Sequence, residues 1–224
     1  MIPWLLLDTA QIPNGEGELR LMRRGAEYSI MSGAIELMNS RLSGSEKALA
    51  TLAFQRLGDR RSLQVLIGGL GMGFTLRAAL AELDPGARVA VAELVPAVMD
   101  WARGPLAELF EGSLTDPRVT LHEADVADLI APARSRYDAI LLDVDNGPGG
   151  LNRAANDGLY AVDGLRAAHR ALAPGGVLAV WSAGPNAEFA RRLHRTGFRV
   201  DEVRVRARGA GRGARHVIWI AASA

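Results

Sequence analysis

With 224 residues, 49% hydrophobic and 23% charged, the chain suits one α/β domain with a full core and at most a small appendage. A formal net charge of +1 gives no bulk attraction to nucleic acid or anionic lipid. The absence of cysteine excludes disulfides, thiolate nucleophiles and cysteine-ligated zinc.

Arginine supplies every cation except Lys47, which reads as genomic base composition rather than function. The opening Met1–Leu7 lacks the basic start of a signal peptide, and no stretch approaches the ~20 apolar residues of a membrane span. A cytoplasmic protein without membrane contact is expected. Trp4–Leu7, Glu18–Met22 and Glu27–Met31 read as short strands separated by Pro13-Asn-Gly-Glu-Gly and Arg24-Gly turns. Residues 1–44 are therefore assigned to a β-hairpin region, and 45–224 to the main domain. Apolar strands with few residues of their own to cover them suggest a homodimer surface.

A helix is expected over Glu46–Leu57, where Ser43 and Glu46 fit a capping box. Leu63, Val65, Leu66 and Ile67 then form a β-branched apolar run suited to a strand buried on both faces. Gly68, Gly69, Gly71 and Gly73 follow, and the sequence from Phe74 onward has the pattern of an amphipathic helix. Strand, glycine turn and helix place backbone N–H groups where a polar or anionic ligand approaches. Gly69-Leu70-Gly71-Met72-Gly73 is G-x-G-x-G; Phe74 stands where a dinucleotide fingerprint wants its third glycine.

Three further strands end in acids. Arg88–Glu93 places Glu93 about 20 residues beyond the loop, where a carboxylate can take two ribose hydroxyls. Val119–Asp125 and Tyr137–Asp143 end in the same way. In an open parallel sheet those ends line one crevice. Pro96–Phe110 reads as a helix opened by proline and interrupted at Gly104-Pro105. Gly158–Ala173 reads as a helix stopped by Pro174-Gly-Gly before a buried strand Val177–Trp181, whose indole walls a pocket or packs in the core. Pro185–Arg195 is another helix. Phe198–Val205 and Arg215–Ile220 alternate as a closing antiparallel pair around a basic, glycine-rich turn that lacks the aromatics of a nucleic-acid contact. Histidines 122, 169, 194 and 216 have no ligand spacing and suggest no triad.

VLIGGLGMGFTLR, VAVAELVPAV, DPRVTLHEAD, YDAILLDVDNGP and LAPGGVLAVWS together resemble the class I S-adenosylmethionine-dependent methyltransferase superfamily, and within it the spermidine synthase-like branch. The resemblance covers roughly residues 63–182. It implies a Rossmann-like α/β fold: a seven-stranded, mostly parallel sheet with helices on both faces, an antiparallel end and a small N-terminal β region. It also implies that Gly69, Leu70, Gly71, Met72 and Gly73 hold the donor's amino-acid tail and Glu93 its ribose. Leu94 flanks the adenine, Asp125 and Val126 meet its edge, and Asp143 lies beside the sulfonium.

Asp143 matches the first acid of the Asp-Ser-Ser-Asp-Pro pattern of polyamine aminopropyltransferases, where it helps receive the attacking amine's proton. The later acid of that pattern falls near Asn146, leaving Asp145 as the neighbouring charge. Of the Tyr-His-Glu run of those enzymes only Glu46 aligns, after Gly44 and Ser45. The candidate catalytic residues are thus Asp143, Asp145, Asn146 and Glu46. Where those enzymes place an acid in the glycine loop, this chain has Met72, and a thioether cannot neutralise an ammonium. Asp143, Asp145, Asn146, Asn156 and Asp157 also resemble the oxygen ligands of catechol-type methyltransferases, but loop acids are more often solvated or paired, and no metal is assigned.

The leading expectation is methyl transfer from S-adenosylmethionine to a small-molecule nucleophile. The alternatives are aminopropyl transfer from decarboxylated S-adenosylmethionine to make a polyamine, and a catalytically silent nucleoside-binding or dimerisation module.

Overall fold

The computed structural model describes residues 2–13, 17–144, 147–148, 158–208 and 213–223. A four-stranded antiparallel sheet comes first: β1 (Leu5–Gln11), β2 (Glu18–Arg24), β3 (Glu27–Ser32) and β4 (Ile35–Asn39), in that spatial order. The sequence reading had three strands here. The fourth is not legible because Ile35–Asn39 is short and its alternation breaks at the adjacent Leu37 and Met38, where the pairing with β3 shifts register.

The main sheet comprises β5 (Gln64–Gly68), β6 (Arg88–Glu93), β7 (Val119–Glu123), β8 (Tyr137–Leu142), β9 (Leu172–Ser182), β10 (Arg199–Arg206) and β11 (Arg215–Ala222). Their order is β10-β11-β9-β8-β5-β6-β7. β5 to β9 are parallel, and β11 and β10 close the edge antiparallel, so the expected seven-stranded architecture is borne out. The chain leaves β5 for β6 on one side and later returns to β8 on the other. The C-terminal ends of β5 and β8 are thus the switch point at which open α/β sheets bind ligands.

Alternation explains the two-sided burial. Val65, Ile67, Ala139, Leu141, Val177, Ala179, Ile218 and Ile220 point into one core, whereas Leu66, Ile140, Leu142, Leu178, Val180, Val217 and Trp219 point into the other. The first core is completed by helices α1 (Gly44–Leu57), α2 (Phe74–Glu82) and α3 (Pro96–Arg103), and by Leu19, Leu21 and Ile30 of the small sheet. The second is completed by α5 (Val126–Ile130), α6 (Val162–Ala171) and α7 (Ala187–Arg195). A short α4 (Ala107–Phe110) follows the break at Gly104-Pro105, as the sequence suggested.

Two local expectations are corrected. Ser43 is the N-cap residue of α1, but its side chain makes no capping hydrogen bond. Without that bond the reciprocal capping box does not form, and Glu46 lines a cavity described below. The strand after α6 begins at Leu172 instead of Val177: Tyr137 pairs with Leu172 and Ala139 with Val177, so residues 173–176 bulge within β9. The N-terminal sheet is tied to the main domain by the indole N–H of Trp101, which donates to Asp8 at 2.7 Å. Ile2, Leu5, Leu6 and Ile35 remain exposed on or beside that sheet. Among the described residues no helix is long and apolar enough to cross a membrane, and no group of three or more His, Cys, Asp or Glu could hold a metal ion.

Asp125 is the N-cap of α5, its Oδ1 accepting from Ala127 N–H at 2.8 Å. A helix start left without that acceptor costs about 1 kcal/mol, and asparagine caps equally well. Urea unfolding of Asp125→Ala should therefore show a loss of roughly 1 kcal/mol, while Asp125→Asn stays close to the parent. Equal stability of Asp125→Ala and the parent would show that the cap does not form.

Candidate active site

The glycine loop is built against the neighbouring strand ends on both sides. Gly69 N–H donates to Ala92 C=O at 2.8 Å, and Asp143 N–H donates to Gly68 C=O at 2.9 Å. Gly69 has φ +92°, and a Cβ there would lie 2.4 Å from the Asp143 carbonyl oxygen. Only glycine lets the loop turn this close to the end of β8. Gly73 caps α2 with φ +79°, and its missing Cβ leaves room for the Phe110 ring, which would otherwise stand 2.5 Å away. Leu70 N–H donates to Glu93 Oε2 at 3.0 Å, and Val95 N–H donates to Glu93 Oε1 at 2.9 Å. Glu93 thus braces the loop from the end of β6.

A narrow cavity of about 80 Å³ opens between these elements, lined by Leu37, Met38, Glu46, Leu70, Gly71, Met72, Phe74, Asp143 and Trp181. Five of the residues predicted from the sequence converge here: Glu46, Leu70, Gly71, Met72 and Asp143. Gly69 stands behind Asp143, and Gly73 behind the start of α2. Glu93 touches the cavity through Leu70. Val126 packs at the base of the loop, 3.0 Å from where a Gly68 Cβ would be, and Asp125 caps the helix beside it. Leu94 is half-buried next to Glu93. Asp145, Asn146, Asn156 and Asp157 lie outside the described residues.

Sequence reasoning missed several of the residues that shape the cavity. Leu37 and Met38 come from the unforeseen β4, and Met38 Sδ would lie 3.0 Å from a Cβ on Gly71. Thr75, in the first turn of α2, donates its hydroxyl to Asp143 Oδ2 at 2.6 Å. No sequence signal marks a pair 68 positions apart. Trp181 both walls the cavity and packs against the core, and its ring meets His216 edge-on, with centroids 4.7 Å apart. Pro148 is held by Asn186, whose side chain caps α7 through Phe189 N–H and donates to Pro148 C=O at 3.1 Å.

Two carboxyl groups therefore share a mostly apolar crevice. Burial raises the pKa of Asp143 to about 7; the nearby Glu46 charge adds to the rise, and the Thr75 hydroxyl partly opposes it. Burial also raises Glu46, offset in part by the hydrogen bond from Ser45 Oγ at 2.7 Å. Two like charges in a site poorly supplied with water do not both ionise readily. Near neutrality the pair thus retains a proton that either group can exchange, and it presents a site for a cation. Met72 is almost fully buried and offers only a thioether to the same space.

The chain is similar to known proteins in sequence and in fold. It is 39% identical over 124 residues to polyamine aminopropyltransferase 1 of Streptomyces coelicolor, a match covering 54% of this chain and 22% of that protein. It is 36% identical over 130 residues to the polyamine aminopropyltransferase of Nitrosomonas europaea, covering 57% and 37% respectively. The matches thus span less than half the length of these relatives. The spermidine synthase from Thermotoga maritima shares the fold with a TM-score of 0.75 over 98% of this chain and 72% of that chain, at 17% identity. No protein-family model matches the chain. The resemblance to the spermidine synthase-like branch is borne out, in sequence over about half the chain and in fold over nearly all of it.

The raised pKa of Asp143 has a consequence for stability. Its folded value, about 7, lies above the ordinary 3.8, so the folded protein holds a proton that the unfolded chain has already released. The associated stability is fully present below about pH 4 and is lost as pH rises through about 7. Three units correspond to about 4 kcal/mol at most, and solvent reaching the half-buried residue reduces this to roughly 1–2 kcal/mol. Asp143→Asn should therefore be more stable than the parent at pH 8 by roughly 1–2 kcal/mol, with the advantage vanishing near pH 4. A gap that does not change with pH would show that Asp143 titrates normally.

Proposed function

We propose that the protein is a transferase of the polyamine aminopropyltransferase kind, moving an aminopropyl group from decarboxylated S-adenosylmethionine to a small amine. The observation that carries this reading is the facing pair Glu46 and Asp143 in a crevice otherwise walled by Leu37, Met38, Leu70, Met72, Phe74 and Trp181. Apolar walls suit a methylene chain, and the two acids suit its ammonium groups. The similarity to named aminopropyltransferases supports the same conclusion. It ranks this reaction above the methyl transfer that the sequence alone favoured.

In this reading the loop Gly69–Gly73 lies under the donor's tail, and Glu93 accepts from the ribose hydroxyls. Asp125 accepts from the adenine amine, with Leu94 and Val126 beside the ring. The acceptor enters between Glu46 and Asp143. Its neutral nitrogen attacks the carbon next to sulfur, the C–N bond forms, and the C–S electron pair returns to sulfur as a neutral thioether. Asp143 takes the proton released by the new ammonium, and a pKa near 7 lets it both accept and return that proton at neutral pH. The chain's main contribution is positioning.

Methyl transfer stays as the second reading because of Met72, since a zwitterionic S-adenosylmethionine tail needs no acid in the glycine loop. Supplying putrescine with either donor separates the two. Spermidine and methylthioadenosine should form from the decarboxylated donor, with kcat/KM rising with pH to a plateau above about 7. Asp143→Asn should lower kcat/KM by roughly 10²–10⁴-fold and remove that rise. Methylated product and S-adenosylhomocysteine, formed preferentially from S-adenosylmethionine, would reverse the ranking.

A further inference from the structure

Glu46 begins a helix, and the usual place for a carboxylate in a first turn is over the exposed N–H groups at the helix end. Here it lines the crevice while keeping the backbone N–H groups of Ser45 and Glu46 as partners, and a side-chain chain adds to them. Its Oε2 lies 2.7 Å from Ser45 Oγ, and Ser45 Oγ lies 2.9 Å from Nδ1 of His216. Ser45 is 1% exposed, and His216 reaches it from β11, 171 positions away. On its other side the imidazole meets the Trp181 ring that walls the cavity.

The hydroxyl proton of Ser45 can serve only one partner. When it is donated to Glu46, the Ser45 oxygen is left to accept, and His216 must present Nδ1–H. Burial lowers the pKa of His216, which favours the neutral ring, and the hydrogen bond from Ser45 to an ionised Glu46 selects the Nδ1–H tautomer. Three residues from two elements thus form a directed chain, His216 Nδ1–H to Ser45 O–H to Glu46 Oε2, ending in the proposed acceptor slot.

We infer that Ser45 and His216 are positioning residues that hold the Glu46 carboxylate in the crevice, aimed to receive the ammonium of the acceptor amine. The inference rests on the aminopropyl-transfer reading and assigns acceptor affinity to a residue pair that never touches the donor.

The test is calorimetric titration of the full chain with methylthioadenosine, then with putrescine in the presence of saturating methylthioadenosine. The proteins compared are the parent, Ser45→Ala, His216→Leu and His216→Asn. Asparagine places an amide N–H close to where Nδ1 stands, whereas leucine fills the space without a donor. Methylthioadenosine affinity should be unchanged throughout, which also reports that each variant is folded. Putrescine affinity should fall tenfold or more in Ser45→Ala and His216→Leu, and should largely return in His216→Asn. Unchanged putrescine affinity in Ser45→Ala overturns the inference, and this single-oxygen change remains informative if His216→Leu fails to fold. Equal losses in His216→Asn and His216→Leu also overturn it, because they would mark a packing role. A parent protein that binds no methylthioadenosine overturns the donor reading itself, and the inference with it.

Discussion

The site depends on two carboxyl groups placed where water is scarce. A single buried acid can be neutralised by keeping its proton, but Glu46 and Asp143 face the same cavity, and each makes ionisation of the other harder. The pair is therefore poised: a cation entering between them draws off the remaining proton, and removal of the cation restores it. An arrangement of this kind costs stability in the empty protein. The surrounding hydrogen bonds from Thr75 and Ser45 reduce that cost, since each gives one carboxylate oxygen a donor.

The scaffold holds the pair in register. Asp143 ends the central strand β8, and its backbone is closed against Gly69 so tightly that a methyl group would not fit between them. Glu93 binds the other side of the same loop. Glu46 comes from α1, which packs across the sheet, and Thr75 from α2, which starts where the glycine loop ends. The small sheet contributes Leu37 and Met38 as a cover. Glycine loop, acid pair and cover thus arise from four separate stretches of chain brought together at the C-terminal ends of β5 and β8.

The sheet was legible because it is written locally. Apolar runs such as Val65–Ile67 and Ile140–Leu142 alternate between two cores, and glycines or acids mark the strand ends. The glycine loop and Asp143 were legible for the same reason, each sitting at the end of a recognisable strand. Glu46 gave an ambiguous signal: Ser43 three residues earlier makes a capping box on paper, and only packing shows the side chain turned inward. His216 gave none. Its partner Ser45 is brought to it by the antiparallel return of β11 beside β9, and no spacing in the sequence encodes that meeting. Met38 was lost with its strand, whose five residues carry too little alternation to be read.

The central claim concerns the shared ionisation of Glu46 and Asp143, and it can be read directly. Carbon-13 NMR of the Asp143 carboxyl, followed from pH 4 to pH 9 in the parent and in Glu46→Gln, reports the titration of that one group. A midpoint near 7 in the parent, moving down in Glu46→Gln yet staying above the ordinary 3.8 because burial remains, is the expected result. A midpoint near 4, or one that ignores the loss of the Glu46 charge, would contradict it.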